Sequence, residues 1–103
     1  MPRHADSQPP DPGLLILASL ASGPKHGYAI TQDVRGFAGV QLGPGTLYGA
    51  IARLEDRGLI EAVESSDRRR PYRLTGAGRE TLREQVSVLE RLTSTAIGRL
   101  ASV

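Results

Sequence analysis

The clearest periodic pattern of apolar residues follows Pro44. Leu47, Ile51 and Leu54 fall at i, i+4 and i+7, so they share one face of a helix, and that face must be buried. Pro44 suits the first position of a helix, and Gly58 suits the left-handed residue that ends one. The pattern therefore predicts an amphipathic helix between these two residues.

The opposite face of this helix carries two hydroxyl groups, a glycine and a guanidinium. Its members are Thr46, Tyr48, Gly49 and Arg53. Groups of this kind approach a phosphate backbone or the floor of a DNA groove. We therefore predict a DNA recognition helix.

Two helices are predicted before the recognition helix. Asp11 as a cap and Pro12 as the first helical residue begin an almost wholly apolar helix, which is expected to lie between two neighbours and to end at Gly23-Pro24. A second helix is predicted from about His26 to Gly36, broken by that glycine and by Gly39. Its apolar positions are Tyr28, Ile30, Val34 and Phe37, and residues 40–42 are predicted to form a short β-like connector.

A β-hairpin is predicted after Gly58, where the period changes from helical to extended. Residues 59–64 and 70–75 are its strands, and the tip between them is rich in arginine. Pro71 cannot donate a backbone hydrogen bond, so the second strand is expected at the edge of the sheet. The buried face is predicted to place Ile60 and Ala62 opposite Tyr72 and Leu74.

A long helix is predicted over about 79–101, capped by residues 75–78. Its apolar residues recur at alternating steps of four and three, which is a seam of two positions per heptad. The seam consists of Leu82, Val86, Leu89, Thr93, Ala96, Leu100 and Val103, and Val88, Leu92 and Ile97 widen it. So wide a stripe predicts a dimerisation helix that packs on a second copy; packing on the first helix of its own chain is the alternative.

Length and composition favour one small domain. The 103 residues are predicted to comprise a disordered, proline-rich arm (residues 1–10), a DNA-binding domain (11–75) and the dimerisation helix (76–103). The expected fold class is mainly α with a small β-hairpin: a winged helix-turn-helix plus a long C-terminal helix. Arg3 and His4 of the arm either have no function or touch DNA.

The charged residues favour a nucleic-acid partner. All but one of the 13 basic residues are arginine, the better partner of phosphate and guanine, although high-GC coding bias would produce the same excess. The chain has no cysteine, and its two histidines have no matching ligands, so neither a metal nor a cofactor is expected. No apolar run reaches the length of about 18 residues that a membrane span needs, and no signal peptide is recognised. A cytoplasmic protein without a membrane partner is expected.

No enzyme site is expected. Glu55 and Asp56 are neighbours on a helix and do not point at one site, and Ser65-Ser66 has no base in the hairpin. The glycines of the recognition helix lack the lysine that ends a phosphate-binding loop.

Several motifs resemble the PadR family of bacterial winged-helix transcriptional regulators, and the resemblance covers residues 12–101. The motifs are His26-Gly27-Tyr28, Pro44-Gly45-Thr46-Leu47-Tyr48, Leu54-Glu55, Gly58-Leu59-Ile60 and Tyr72-Arg73-Leu74-Thr75. The single C-terminal helix resembles the small subgroup of the family. Gly43 stands where many relatives have serine, so a weaker helix cap is expected.

The resemblance implies a homodimer that binds a pseudo-palindromic operator in double-stranded DNA, most simply as a repressor, with an unknown effector. Thr46 and Tyr48 would hydrogen-bond phosphates, and Gly49 and Arg53 would lie nearest the bases. The residues implied at the start of the second helix and in the wing are Lys25, His26, Tyr28, Arg68, Arg69, Arg70 and Arg73.

Other interpretations of these residues and of the chain stay open. Tyr48 could be a core residue, and Gly27-Tyr28 could set a turn and pack the core with His26 as a cap. The arginines could form a solvated loop that pairs with Glu61, Glu64 and Asp67. The same surface could bind protein instead of DNA. A sensor of drugs or phenolic compounds is a third possibility, although the chain has only four aromatic residues, Tyr28, Phe37, Tyr48 and Tyr72.

Overall fold

The computed structural model describes residues 10–66 and 68–102, so nearly all of the predicted N-terminal arm, as well as Asp67 and Val103, lies outside the described residues. The elements are α1 (Pro12–Leu20), β1 (Lys25–His26), α2 (Gly27–Ala38), α3 (Pro44–Asp56), β2 (Ile60–Ala62), β3 (Pro71–Leu74) and α4 (Gly76–Ala101). Helices dominate, and three short strands form one antiparallel sheet. The predicted winged helix-turn-helix with a long C-terminal helix is confirmed.

Helix α1 forms the centre of the core. The Leu14 N–H donates to the Asp11 carboxylate at 3.1 Å, which confirms the predicted cap. Both Ile16 and Leu20 are buried, and the helix contacts α2, α3, α4 and β3. The prediction that this apolar helix lies between two neighbours is therefore confirmed.

Helix α2 runs past the glycine that was predicted to break it. Gly36 is helical and exposed, and the helix ends at Gly39, whose φ of 68° is left-handed. A helical glycine costs about 1 kcal/mol relative to alanine, and the burial of Ile30 and Val34 outweighs that cost. Tyr28 and Phe37, predicted as apolar positions of this helix, are instead exposed.

Helix α3 has the bounds that its sequence pattern predicts. Its buried face is formed by Leu47, Ala50, Ile51 and Leu54. The left-handed Gly58, with φ of 73°, follows the helix, and its N–H donates to the Glu55 carbonyl at 2.9 Å. Residues 40–43 before the helix form no strand, so the predicted β-like connector is wrong, although Leu42 there is buried in the core.

The sheet has the order β1-β3-β2, so β3 is the central strand and not an edge. Pro71 is tolerated because it is the first residue of β3, and its carbonyl accepts from the Val63 N–H at 2.9 Å. The predicted pairing of β2 with β3 is confirmed, with Ile60 opposite Leu74 and Ala62 opposite Tyr72. Ala62 is exposed, however, so the predicted buried face is correct for only three of its four members.

Helix α4 begins at Gly76, ahead of the predicted start at residue 79. The Thr75 side chain caps it by accepting from the Gly78 N–H at 3.0 Å. Gly78 packs directly on the Leu59 carbonyl, with which an added Cβ would overlap. After Leu82 every described residue of the helix is exposed. No helix among the described residues is long and apolar enough to cross a membrane.

Candidate nucleic-acid interface

A cleft brings together residues that lie far apart in the sequence. It is lined by His26, Gly27, Tyr28, Tyr48, Arg68, Arg69, Arg70 and Tyr72. These residues come from the start of α2, the first turns of α3, and the hairpin, which we call the wing (residues 60–74). Six of the eight are predicted DNA-binding residues, so the fold assembles most of the predicted set in one place. We call this surface the wing cleft.

Tyr48 joins α3 to α2 within the wing cleft. Its hydroxyl lies so close to Gly27 that an added Cβ there would overlap it. A side chain at position 27 would therefore displace the Tyr48 ring. Tyr48 is 52% exposed, so the alternative of a core residue is wrong, and its hydroxyl remains at the surface of the cleft.

His26 is the N-cap of α2, as the alternative interpretation proposed. Its Nδ1 accepts from the Ala29 N–H at 3.4 Å. Tyr28, in contrast, does not pack in the core: it is 64% exposed, and its hydroxyl accepts from Gln32 Nε2 at 3.0 Å. Both rings line the wing cleft, but His26 holds the backbone in place while Tyr28 faces outward.

Lys25 lies beside the wing cleft but does not line it. Its ammonium donates to the Ser22 hydroxyl at 2.7 Å and to the Ser19 carbonyl at the end of α1. Only 19% of the side chain is exposed. The predicted role in DNA contact would therefore require this group to leave its partners.

The wing carries its arginines in two different settings. Arg68, Arg69 and Arg70 are exposed and line the wing cleft. Arg73 lies within β3, where its Nε donates to the Glu61 carboxylate at 2.8 Å across the sheet. The predicted pairing of local acids with wing arginines is thus seen for Arg73, and the positive charge of the wing is concentrated at its tip.

The outward face of α3 carries few large side chains. Thr46 and Arg53 are exposed, and Gly49 lies between them on the helix. The Arg53 side chain folds back along the helix toward Gly49: a Cβ added at Gly49 would lie 3.5 Å from Arg53 Nη1. One guanidinium therefore lies over a bare stretch of helix backbone, where a groove floor can approach closely.

This surface can bind anions and base edges. The described residues offer guanidinium and phenol groups, both hydrogen-bond donors that suit phosphate. Among residues 10–66 and 68–102, no group of three or more histidine and acidic side chains could hold a metal ion.

A second surface lies along α4. The predicted dimerisation residues Val86, Leu89, Leu92, Thr93, Ala96 and Leu100 are all exposed, whereas Leu82 packs against the core of its own chain. A shallow apolar groove lined by Leu14, Glu84, Gln85, Val88 and Leu89 connects this stripe to α1. Packing on α1, the alternative, covers the part of α4 near this groove and leaves the remainder of the helix exposed.

Sequence reasoning missed two contributors to this arrangement. Strand β1 is only two residues long, which is too short for a period-2 signal to be recognised. Ser19 and Asp33 form a hydrogen bond of 2.7 Å between α1 and α2. A serine within an apolar helix was the available signal, because a buried hydroxyl needs a partner.

Known proteins resemble this chain across most of the described fold. The model of the transcriptional regulator PadR-like family matches residues 16–84. A transcriptional regulator of Mycobacterium tuberculosis is 39% identical over 88 residues, which are 82% of this chain and 81% of that protein.

Two further similarities differ in what they cover. An uncharacterized protein in a transposon of Streptomyces fradiae is 47% identical over 83 residues, which are 81% of this chain, but the chain spans only 24% of that protein. The crystal structure of a PadR family transcription regulator from Clostridium difficile has a TM-score of 0.79 and 26% identity, and the match covers 86% of this chain and 97% of that one.

Proposed function

Since this chain belongs to the PadR-like family of transcriptional regulators, we propose that it is a homodimeric repressor that binds a pseudo-palindromic operator. Members of the family regulate transcription and are not enzymes. A repressor of this kind occupies DNA that polymerase needs. A signal received where the two copies meet would change its affinity for that DNA.

The observation that carries the proposal is the convergence of donors in the wing cleft. Tyr48 comes from α3, Tyr28 from α2, and the arginines of residues 68–70 from the wing. Each group suits a phosphate oxygen, and together they follow a concave surface. Convergence from three elements is typical of a backbone clamp that orients a recognition helix.

Helix α3 is proposed to enter the major groove with its outward face. Thr46 and Tyr48 lie near the start of the helix, where free N–H groups and the helix dipole favour a phosphate. Gly49 and Arg53 lie further along, where the bare backbone permits a close approach and the guanidinium has two donors for guanine. The arginines at the tip of the wing then reach adjacent phosphates or the minor groove.

The second copy is proposed to pack along α4. The apolar residues Val86, Leu89 and Leu92 are exposed along a helix that continues well beyond the core. Contiguous apolar surface of this kind marks an interaction site. A two-fold axis across α4 would present two α3 helices to two half-sites, as a pseudo-palindrome requires.

The first test measures binding to the DNA upstream of the protein's own gene as a function of salt. Removing one side chain that binds a phosphate makes the slope of log K against log salt shallower by about 0.9. Arg69→Ala is expected to weaken binding to all sequences alike and to reduce this slope. Arg53→Ala is expected to weaken binding to the operator by about 1–3 kcal/mol and to relax specificity at one base pair.

The same titrations contain the results that would reject the proposal. An affinity that stays constant as salt rises would contradict binding through phosphates. If Arg69→Ala and Arg53→Ala behaved identically across operator variants, the division between wing and recognition helix would be wrong. Gly36→Ala serves as a control, because Gly36 is exposed with open space around it and lies outside the proposed interface.

A further inference from the structure

Lys25 is the only lysine of the chain, and its ammonium lies in the corner between α1 and α2. Nζ donates to the Ser19 carbonyl at 2.5 Å and to Ser22 Oγ at 2.7 Å, and it lies 4.0 Å from Asp33 Oδ2. These three partners hold the ammonium against α1 and α2 at a partly exposed corner of the fold. A lysine that binds DNA through its ammonium would keep that group at the surface.

The partners of Lys25 also bond to one another: the Ser22 hydroxyl donates to the same Ser19 carbonyl at 3.1 Å. Ser19 lies in the last turn of α1, where carbonyl groups lack partners within the helix and the dipole is negative, so a lysine is favoured there. The Ser19 hydroxyl is buried and donates to Asp33 Oδ2 at 2.7 Å. Lys25, Ser19, Ser22 and Asp33 therefore form one polar network, which ties the end of α1 to α2.

The backbone of Lys25 connects this network to the wing. Lys25 pairs with Tyr72 and His26 pairs with Pro71 in the antiparallel ladder between β1 and β3. Residues 68–70, the arginine tip, directly precede β3. Strand β1 is thus fixed by the polar network through the Lys25 side chain, and it holds the base of the wing by backbone pairing.

We propose that Lys25 is a positioning residue, which sets the place of the wing arginines through its contacts with α1 and α2 and does not contact phosphate itself. This inference rests on the proposed DNA-binding function. It predicts that Lys25 affects DNA affinity only through the arginines of residues 68–70. A direct contact between Lys25 and phosphate, or a role of Lys25 in stability alone, would each give a different result.

The test uses Lys25→Met, which removes the charge and keeps an unbranched stem. The affinity for the protein's own promoter DNA is expected to fall by about twofold to thirtyfold, the range that coupling through a network produces. The wing arginines still reach their phosphates in the complex, and the loss of affinity is the cost of placing them there, so the slope of log K against log salt should stay unchanged. Arg79→Met, an exposed position outside the interface, removes the same charge and should leave the affinity unchanged.

The deciding measurement repeats Lys25→Met in a background with Arg68, Arg69 and Arg70 all changed to alanine. If Lys25 acts through the wing, Lys25→Met causes no further loss of DNA affinity in this triple-alanine background. Asp33→Ala provides an independent check, because removal of an acid raises the net positive charge. General electrostatics then predicts tighter DNA binding, whereas loss of the network predicts weaker binding.

Each other outcome overturns the inference. A slope that falls by about 0.9, with a weakening that persists in the triple-alanine background, would make Lys25 a phosphate contact. An unchanged affinity would make the network purely structural. If Lys25→Met fails to fold, Ser22→Ala removes one partner of the ammonium more gently and should show the same pattern with a smaller effect. If the unmodified protein fails to bind DNA at any salt concentration, the proposed function fails as well, which distinguishes that result from failure of the inference alone.

Discussion

The body of the protein (residues 11–82) and the distal segment of α4 (residues 83–101) differ in how they use apolar residues. Among residues 10–66 and 68–102, all fifteen buried hydrophobic residues lie in the body, between Leu15 and Leu74. The distal segment exposes its apolar residues, including Leu92, Ile97 and Leu100. The body can therefore be stabilised by its own contacts, whereas the distal segment gains from burial only when another surface covers it. The first turns of α4 are thus stabilised by contacts within the chain, whereas the rest of the helix is not.

The largest difference in the free energy of unfolding is expected between Ile51→Ala and Leu92→Ala. Ile51 is fully buried, and its truncation should lower the free energy of unfolding by about 4 kcal/mol, because it leaves a cavity among α3 and its neighbours. Leu92 is exposed, so its truncation should leave the unfolding of dilute protein nearly unchanged and should weaken self-association. Urea denaturation at several protein concentrations, with sedimentation equilibrium, measures both quantities. If both variants were equally destabilised at every concentration, the division into body and distal segment would be rejected.

The next contrast uses two glycines of α4. Gly78→Ala should destabilise the protein by about 3 kcal/mol, because its Cβ would overlap the Leu59 carbonyl of the backbone. Gly98 has open space around it, so Gly98→Ala should stabilise the helix by up to about 1 kcal/mol. Thermal unfolding of the two variants gives the sign of each change. A stabilised Gly78→Ala would show that the first turn of α4 is not packed against Leu59.

The smallest effect is expected at the exposed ion pair of the wing. Glu61 and Arg73 are about half exposed, so Glu61→Gln should change the stability of the body by less than about 1 kcal/mol. DNA affinity should increase in the same variant, because a negative charge is removed and Arg73 is released toward phosphate. Glu80→Gln, which removes the acid of an exposed pair with Arg83 on α4, is the matched control and should alter neither quantity appreciably. Equal gains in DNA affinity for both variants would assign the effect to net charge.

Sequence patterns predicted the elements whose signals are local. Helix α3 was predicted correctly because its period, its proline and its terminal glycine all agree. The cap at Asp11 was also predicted, since aspartate before proline is a strong start signal. In these segments the neighbouring residues alone determine the conformation.

The errors in the sequence-based prediction arise where distant residues decide the outcome. Strand β1 exists only because β3 lies beside it, and this pairing also makes β3 central despite Pro71. Gly36 stays helical because tertiary burial of α2 outweighs its weak propensity. The wing cleft depends on both effects, so the residue types of the candidate site could be predicted but the inward orientation of Lys25 could not.

The corner between α3 and α4 has a mechanical consequence. The Thr75 N–H donates to the Leu59 carbonyl at 3.1 Å, and the Thr75 hydroxyl donates to the Gly58 carbonyl at 2.6 Å, so the segment that follows α3 is fixed to the start of α4. Helix α4 has 26 residues, and at about 1.5 Å per residue it is about 39 Å long. A tilt of about 5° at the corner moves the far end by about 3 Å. In the proposed dimer α4 would act as a lever arm. A small shift at the dimer interface would then change the distance between the two α3 helices, which must match two half-sites one helical turn apart on DNA.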